Sequence, residues 1–566
     1  MTITFDEYQY ARPDIEEMKK DLMHLVTKFK EASTVEEQEQ VLDEMNVIRN
    51  RYGTMDNIAY IRSSIDTNDT YYRKEREFLD ENGPILQEVK TACYEALVNS
   101  KFRKELEEEY GSQLFSLADY ELKGFSKEVI ELMQQENKLS TEYSNLIASA
   151  QIEFQGETYT LAQLAPFAES KDRATRKAAR DASSSFFAKH EAEFDRIYDE
   201  LVKNRHAQAI KLGYKNYVEL GYVRMNRVDY NAEMVKGYRD QIRDVVVPYV
   251  TELRERQRKR IGVDTLKFCD EAFTYATGNP TPKGDAEWIV AQGAQMYKEL
   301  SPQTNEFFRY MQDRNLMDLV AKKGKQGGGY CTFIEDYESP FIFSNFNGTS
   351  GDIDVLTHEA GHAFQVYSSR HIGVPEYLWP TFESAEIHSM SMEFFTWPWM
   401  ELFFKEDTEK YKFSHLESGL MFLPYGVSVD EFQHVVYENP EMTPDERKAA
   451  WREIEKKYLP HRDYDGDAYL EKGGFWQRQG HIFASPFYYI DYTLAQVCAF
   501  QFWKRSREDY QAAWKDYLAL CRLGGSKSFT KLVEAAHLTS PFEAGCLEDV
   551  VVAIKAYLDN VDDTKL

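Results

Sequence analysis

The stretch DVLTHEAGHAFQVYSS, residues 354–369, decides how this chain is read. Val355, Leu356, Ala363, Phe364 and Val366 fall at a spacing that suits a helix, and His358-Glu359-Ala360-Gly361-His362 completes H-E-x-x-H within it. Residues four apart lie one turn above each other on the same helix face, so both imidazoles can reach one metal ion at about 2.0–2.1 Å. Glu359 is rotated away along the helix and can face a water on that metal as a general base. With 12 histidines in 566 residues, chance would produce this pentapeptide only about 0.02–0.03 times per such chain.

Catalytic zinc takes three protein ligands and keeps one position open, which directs attention downstream to an acidic residue. TFESAEIHSMSMEFFTW, residues 381–397, offers several. Glu386 and Glu393 lie seven apart, so one helix can present both carboxylates on the same face. Glu383, one turn before Glu386, competes as the ligand. His388 is two positions from Glu386, points to another side of the helix and is assigned a structural role.

Immediately upstream, residues 324–349 form the clearest non-helical stretch. Gly327, Gly328 and Gly329 precede strand-like runs from Tyr330 to Ile334 and from Phe341 to Phe346. The glycines complete neither GxxxxGK[ST] nor GxGxxG, so a flexible hairpin is expected rather than a phosphate loop. The second run has two readings, a free edge that pairs with an extended peptide or an internal, fully paired strand. On the first reading Gly328, Gly329, Phe343 and Ser344 are candidate substrate-binding residues.

Further from the motif, the first quarter of the chain reads as long amphipathic helices. Pro13 sits where a first helical turn could begin, and Thr34 with Glu37 fits a capping box. Ile152, Phe154, Tyr159 and Leu161 flank Gly156 in a hairpin pattern. Helical spacing then runs from Asp172 to His206 and from Tyr230 to Arg260. A boundary near residue 195 divides an N-terminal helical lobe, 1–195, from a catalytic lobe, 196–566.

Composition sets the limits. The chain is 43% hydrophobic and 14% aromatic, ample for a large core. Its 95 acidic against 68 basic residues give a formal charge of −27, which repels phosphate backbones and anionic lipid headgroups, so neither nucleic acid nor membrane is an expected partner. The first 14 residues lack an apolar segment, and no run of about 18 apolar residues follows, so a cytoplasmic protein is expected. Six scattered cysteines without a CxxC pair read as buried small hydrophobes.

HEAGH followed by SAEIHSMSME, and preceded by GKQGGGYC and SPFIFSNFN, resembles the thimet oligopeptidase family, more closely its oligoendopeptidase F and Pz-peptidase branch. HAQAIKLGYKNYVELGYVRMNRVDY, residues 206–230, and RQGHIFASPFYYIDYTLA, residues 478–495, are similar to further family segments. The resemblance is weakest over the N-terminal helices.

The resemblance implies one zinc ion per chain held by His358, His362 and Glu386, which places Glu386 ahead of Glu383. It gives Glu393 the task of orienting a ligand histidine, with Asp354 as rival. His481, Tyr489 and Tyr492 would lie over the substrate carbonyl, with Tyr488 as the alternative left by a one-residue difference in spacing. The implied fold is mainly α and two-lobed, with a small β-sheet beside the active-site helix and a deep channel that admits short unfolded oligopeptides. The implied activity is metalloendopeptidase. A metallocarboxypeptidase or dipeptidyl carboxypeptidase, and a non-catalytic helical peptide-binding protein, stand as alternatives, and the choice of monomer or homodimer stays open.

Overall fold

Helix starts in the first quarter follow capping chemistry. In the computed structural model, which describes residues 2–322 and 324–566, the Asp14 carboxylate accepts the Glu17 backbone N–H at 3.0 Å and opens α1 (Ile15–Glu31). Pro13 therefore lies just ahead of the cap, not within the first turn as expected. Thr34 and Glu37 form the expected capping box at the start of α2 (Val35–Ile65), and α3 (Thr70–Val98) follows. Leu22, Val26 and Phe29 of α1 meet Val41, Met45, Val89 and Phe115 in a core of their own. Each such side chain contributes roughly 1.5–3 kcal/mol by leaving water.

A second, larger core takes in most of the remaining chain, giving a mainly helical body of two lobes. Helices Arg173–Lys189 and Glu191–Lys211 flank residue 195, yet both bury side chains in the larger core. The two cores do not part at a single point of the chain, since Phe5, Tyr8, Ile58 and Ile61 join the larger core and Tyr377 joins the smaller one. The helical run expected from Asp172 to His206 is broken at His190. The hairpin is present as β1 (Ile152–Phe154) and β2 (Glu157–Tyr159), with Gln155 and Gly156 both at positive φ, as a type I′ turn requires.

A three-stranded sheet leads into the active-site helix. β3 (Met317–Val320), β4 (Tyr330–Ile334) and β5 (Ser339–Phe346) stand in the order β3-β5-β4, with β3 parallel and β4 antiparallel to β5. β3 was not anticipated, because four residues are too few for a periodic signal. β5 is central and paired on both sides, so the edge strands are β3 and β4, and the run Phe341–Phe346 offers no free edge. α4 (Gly351–Ser369) packs on this sheet, and α5 (Phe382–Phe395) crosses α4. α6 (Thr408–Glu438) and α7 (Tyr489–Glu508) close the far side. Among the described residues no helix is long and apolar enough to cross a membrane.

Candidate active site

The close approach of α4 and α5 begins at a glycine. A Cβ placed on Gly361 would lie 2.6 Å from Ser389 Cα and 2.7 Å from the His388 carbonyl oxygen, so only glycine lets the two backbones touch here. The contact brings Glu386 Oε2 to 3.2 Å from His358 Nε2 and 3.3 Å from His362 Nε2. The Ser389 hydroxyl donates to Glu386 Oε2 at 2.9 Å, and the Tyr488 hydroxyl donates to Oε1 at 2.7 Å.

These three side chains fit a zinc ion. Two ligands about 2.0–2.1 Å from one centre at a tetrahedral angle stand about 3.3–3.4 Å apart, close to both spacings from Glu386. His358 Nδ1–H donates to Glu393 Oε1 at 2.8 Å, which leaves Nε2 as the free lone pair. Glu393 is fixed in turn. Trp397 Nε1–H donates to His415 Nδ1 at 3.1 Å, so His415 carries its proton on Nε2 and donates it to Glu393 Oε2 at 2.7 Å. Burial opposes charge on Glu386, yet His362 and His358 hold its carboxyl well below the usual range. Burial likewise opposes charge on His358, yet Glu386 and Glu393 hold it well above. This concentration of carboxylates around two imidazoles suits a cation better than protons.

Asp354, the rival to Glu393, accepts the Tyr411 hydroxyl at 2.6 Å and makes no hydrogen bond with His358. Glu383 is buried apart from the triad, and burial together with Asp491 pushes its carboxyl up to about 8. His388 is buried and donates Nδ1–H to the Ser384 carbonyl at 2.8 Å, and burial pushes it down to about 4.

Glu359 faces a cavity of about 630 Å³ that also exposes the triad. Burial holds its carboxyl above the ordinary range, and its Oε2 has no hydrogen-bond partner among the described residues. Gln113 and Leu117 of the first lobe, Trp379, and the β4 edge from Tyr330 to Thr332 complete much of the wall. Gly329 lines it as well, and a Cβ there would sit 3.5 Å from Glu359 Oε1. The Gly328 carbonyl is instead held by Asn345 Nδ2 at 2.8 Å. Phe343 and Ser344 are buried within the sheet, with Phe343 stacked on Tyr330 at 4.8 Å, so neither reaches the cavity as a substrate-binding residue would.

The opposite wall hangs on a strained turn. Phe487 has φ +67°, its N–H donates to Gln433 Oε1 at 2.8 Å, and its carbonyl accepts from Arg227. This sends the Tyr488 ring over Phe382 and its hydroxyl to Glu386. Just before helix Gly480–Ala484, the Tyr425 hydroxyl of α6 donates to Gln479 Oε1 at 2.8 Å and so orients the amide, whose Nε2 donates to His481 Nδ1 at 2.8 Å. His481 therefore carries its proton on Nε2, 3.2 Å from the Tyr492 hydroxyl, and burial keeps the ring below the ordinary histidine range, hence neutral. Tyr488 and Tyr492 line the triad's cavity. Tyr489 does not: its ring packs 5.8 Å from Phe422 and Tyr425, in a second cavity of about 410 Å³ that shares Tyr492 with the first. His415, Trp397, Tyr411 and Gln479 escaped the sequence reading, since none has a motif and each reaches the site only through packing.

A model of the peptidase M3 N-terminal domain matches residues 5–125, and one of peptidase family M3 matches residues 299–551. No curated protein sequence matches. Among solved structures, Pz peptidase A is 62% identical over 99% of this chain and 100% of its own, at a TM-score of 0.97. A Bacillus anthracis protein assigned as an oligoendopeptidase F is 60% identical over 100% of both chains, at 0.93. Oligoendopeptidase F from Enterococcus faecium, 15% identical over 98% and 99% of the two chains at 0.62, shares the fold. With matching family models on both lobes and full-length relatives at this identity, the chain belongs to peptidase family M3, in the branch of oligoendopeptidase F and Pz peptidase, and is a peptidase.

Proposed function

We propose that this chain is a zinc-dependent endopeptidase that cleaves internal bonds of short, unfolded oligopeptides in the cytoplasm, with one zinc ion per chain. The observation that carries the reading is the convergence of His358, His362 and Glu386 on one point, with Glu359 facing the same cavity.

His358, His362 and Glu386 would hold the zinc ion, which when bound would supply Lewis acidity to the attacking water and the scissile carbonyl. Glu359 takes a proton from the attacking water on its carboxylate and hands it to the leaving amine. Its burial raises its proton affinity, which favours the transfer. The Tyr492 hydroxyl, which receives His481 Nε2–H at 3.2 Å, would donate to the oxyanion with His481 supporting it from the second cavity, a contribution worth about 3–4 kcal/mol at such sites. Tyr488 holds Glu386 in place. The free β4 edge offers backbone groups to an extended peptide. Space on both sides of Tyr492, in the first and second cavities, favours internal cleavage over removal of a terminal residue. The charge of −27 leaves nucleic acid and anionic membrane disfavoured as partners.

The test is hydrolysis of an internally quenched, terminally blocked peptide by the wild type and Glu359→Gln, with bound zinc quantified in both. Cleavage by the wild type, and its loss in a zinc-loaded variant, is the expected result. An inert wild type that holds zinc would overturn the peptidase assignment of this site in favour of a peptide-binding role.

A further inference from the structure

Two carboxamides line the triad's cavity and have no part in the chemistry above. Gln113 stands in the first turn of the helix Ser112–Gly124, and Asn226 lies just beyond the helix Tyr217–Arg224. Among the described residues neither side chain makes a hydrogen bond to protein, and Asn226 is bonded only through its backbone. Gln113 is nonetheless nine-tenths buried, at 7% exposure. A carboxamide offers two N–H donors and an oxygen that accepts twice. Solvent satisfies such groups in an open cavity, and a peptide that displaces it has to supply the partners instead.

Both residues are held by contacts that do not use the carboxamide. Gly111, at φ +84°, turns the chain from the helix Arg103–Tyr110 into the helix that carries Gln113. The Tyr377 hydroxyl accepts the Leu114 N–H at 2.8 Å and donates to the Tyr110 carbonyl at 2.7 Å, which clamps that first turn. Asn226 has φ +54°, in the left-handed region, and its carbonyl accepts the Val228 N–H at 2.9 Å. The next residue, Arg227, is buried and donates to the Phe487 carbonyl and, at 2.8 Å, to Asp491. The two helices also touch: a Cβ on Gly124 would lie 3.5 Å from Arg224 Cγ, and Arg224 Nε–H donates to the Gly124 carbonyl at 3.3 Å. One connected support thus presents Gln113 and Asn226, and Arg227 links it to the turn that aims Tyr488.

The same cavity takes the β4 edge from Tyr330 to Thr332. An extended peptide carries N–H and C=O groups along two edges, and β4 can pair with only one of them. Groups on the second edge lose water in the cavity as well and need partners there. A planar carboxamide presents a donor beside an acceptor, the same pair that a neighbouring strand would present.

We propose that Gln113 and Asn226 hydrogen-bond the main chain of the bound peptide, taking peptide groups that β4 leaves unpaired, so that the substrate is held by its backbone from both edges. Recognition at these two positions then falls on the peptide groups common to every substrate and not on particular side chains. This deepens, and rests on, the peptidase reading, because it assigns contacts of the same substrate in the same cavity.

The experiment starts from the blocked, internally quenched peptide and replaces by an ester, one at a time, each amide within about three residues of the cut bond, that bond excepted. Each ester removes one N–H and weakens one carbonyl as an acceptor. Binding of the parent and of every ester is measured on zinc-loaded Glu359→Gln, which needs no turnover, and on the same protein carrying Gln113→Met or Asn226→Gly. Each added substitution is expected to weaken binding of the parent by about tenfold, and at least one ester is expected to weaken it similarly on Glu359→Gln alone. In the protein that lacks the matching carboxamide, that ester is expected to bind within about twofold of the parent, since the partner is already gone. Ester losses that are the same with and without Gln113 and Asn226 overturn the proposal while leaving the peptidase reading intact. If the wild type does not cleave the parent, the peptidase reading falls, and the ester comparison on binding still upholds or overturns the main-chain contacts. Absence of binding by zinc-loaded Glu359→Gln overturns both. Glycine is unstrained at φ +54°, so Asn226→Gly keeps the turn. Should circular dichroism or zinc content show that Gln113→Met has lost its fold, Gln113→Leu takes its place in the same comparison, with the same outcomes.

Discussion

The wall that carries His358, His362 and Glu386 and the wall that carries Tyr488 and Tyr492, which His481 reaches from the second cavity, are built by different means. The first consists of two regular helices whose ligands follow from i,i+4 spacing and from a glycine contact at Gly361. The second rests on a five-residue helix, where the neighbouring Gln479 orients His481, and on a strained turn at Phe487 pinned by Gln433 and Arg227 from distant parts of the chain. A metal site thus has its geometry supplied locally, whereas the groups aimed at the substrate depend on how the lobes pack.

The comparison can be broken by substitution, starting at its most sensitive point. Glu359→Gln is expected to lower kcat by about 10³-fold or more while zinc stays bound, since only proton transfer is lost. Next, on the second wall, His481→Ala and Tyr492→Phe are each expected to lower kcat by about 10²–10³-fold with KM and zinc content little changed, as for removal of an oxyanion donor. If either variant instead lost zinc, the two walls would not be separable. Glu393→Gln sharpens the division from the other side: loss of the acceptor for His358 Nδ1–H should weaken zinc binding by about 10–100-fold, read by competition with a chelator. Gly361→Ala acts on the same wall by forcing α4 and α5 apart, and should lower zinc affinity more than it lowers the activity of the zinc-saturated enzyme. The smallest effect is expected for Tyr489→Phe, within about twofold in kcat/KM, because its hydroxyl does not reach the triad's cavity. A loss comparable with that of Tyr492→Phe would return Tyr489 to the oxyanion and contradict the placement of the second wall.

The same contrast explains what could be read in advance. Capping at Thr34, the hairpin around Gly156 and the helix bearing HEAGH were legible because each signal lies within a few residues. Glu393 was legible as a helix-face partner of Glu386. The sheet order was not, since alternation along Phe341–Phe346 shows that a strand forms but not which strands flank it, and so Phe343 and Ser344 were misplaced. Tyr488, Tyr489 and Tyr492 could not be sorted either. They share one segment, and the turn at Phe487 that separates their directions is enforced by Arg227 and Gln433.

By itself, then, the sequence pointed to His358, His362 and Glu386 as candidate metal ligands, to Glu359 as the candidate base and to the helical character of the chain, because spacing along a helix converts directly into position in space. Tertiary structure alone decided that Glu393 is shared between His358 and His415, that β4 is an edge strand along the triad's cavity, and which tyrosines face the triad. These are juxtapositions of residues up to hundreds of positions apart. They are fixed by burial and by pairing of polar groups across elements, which no local pattern encodes.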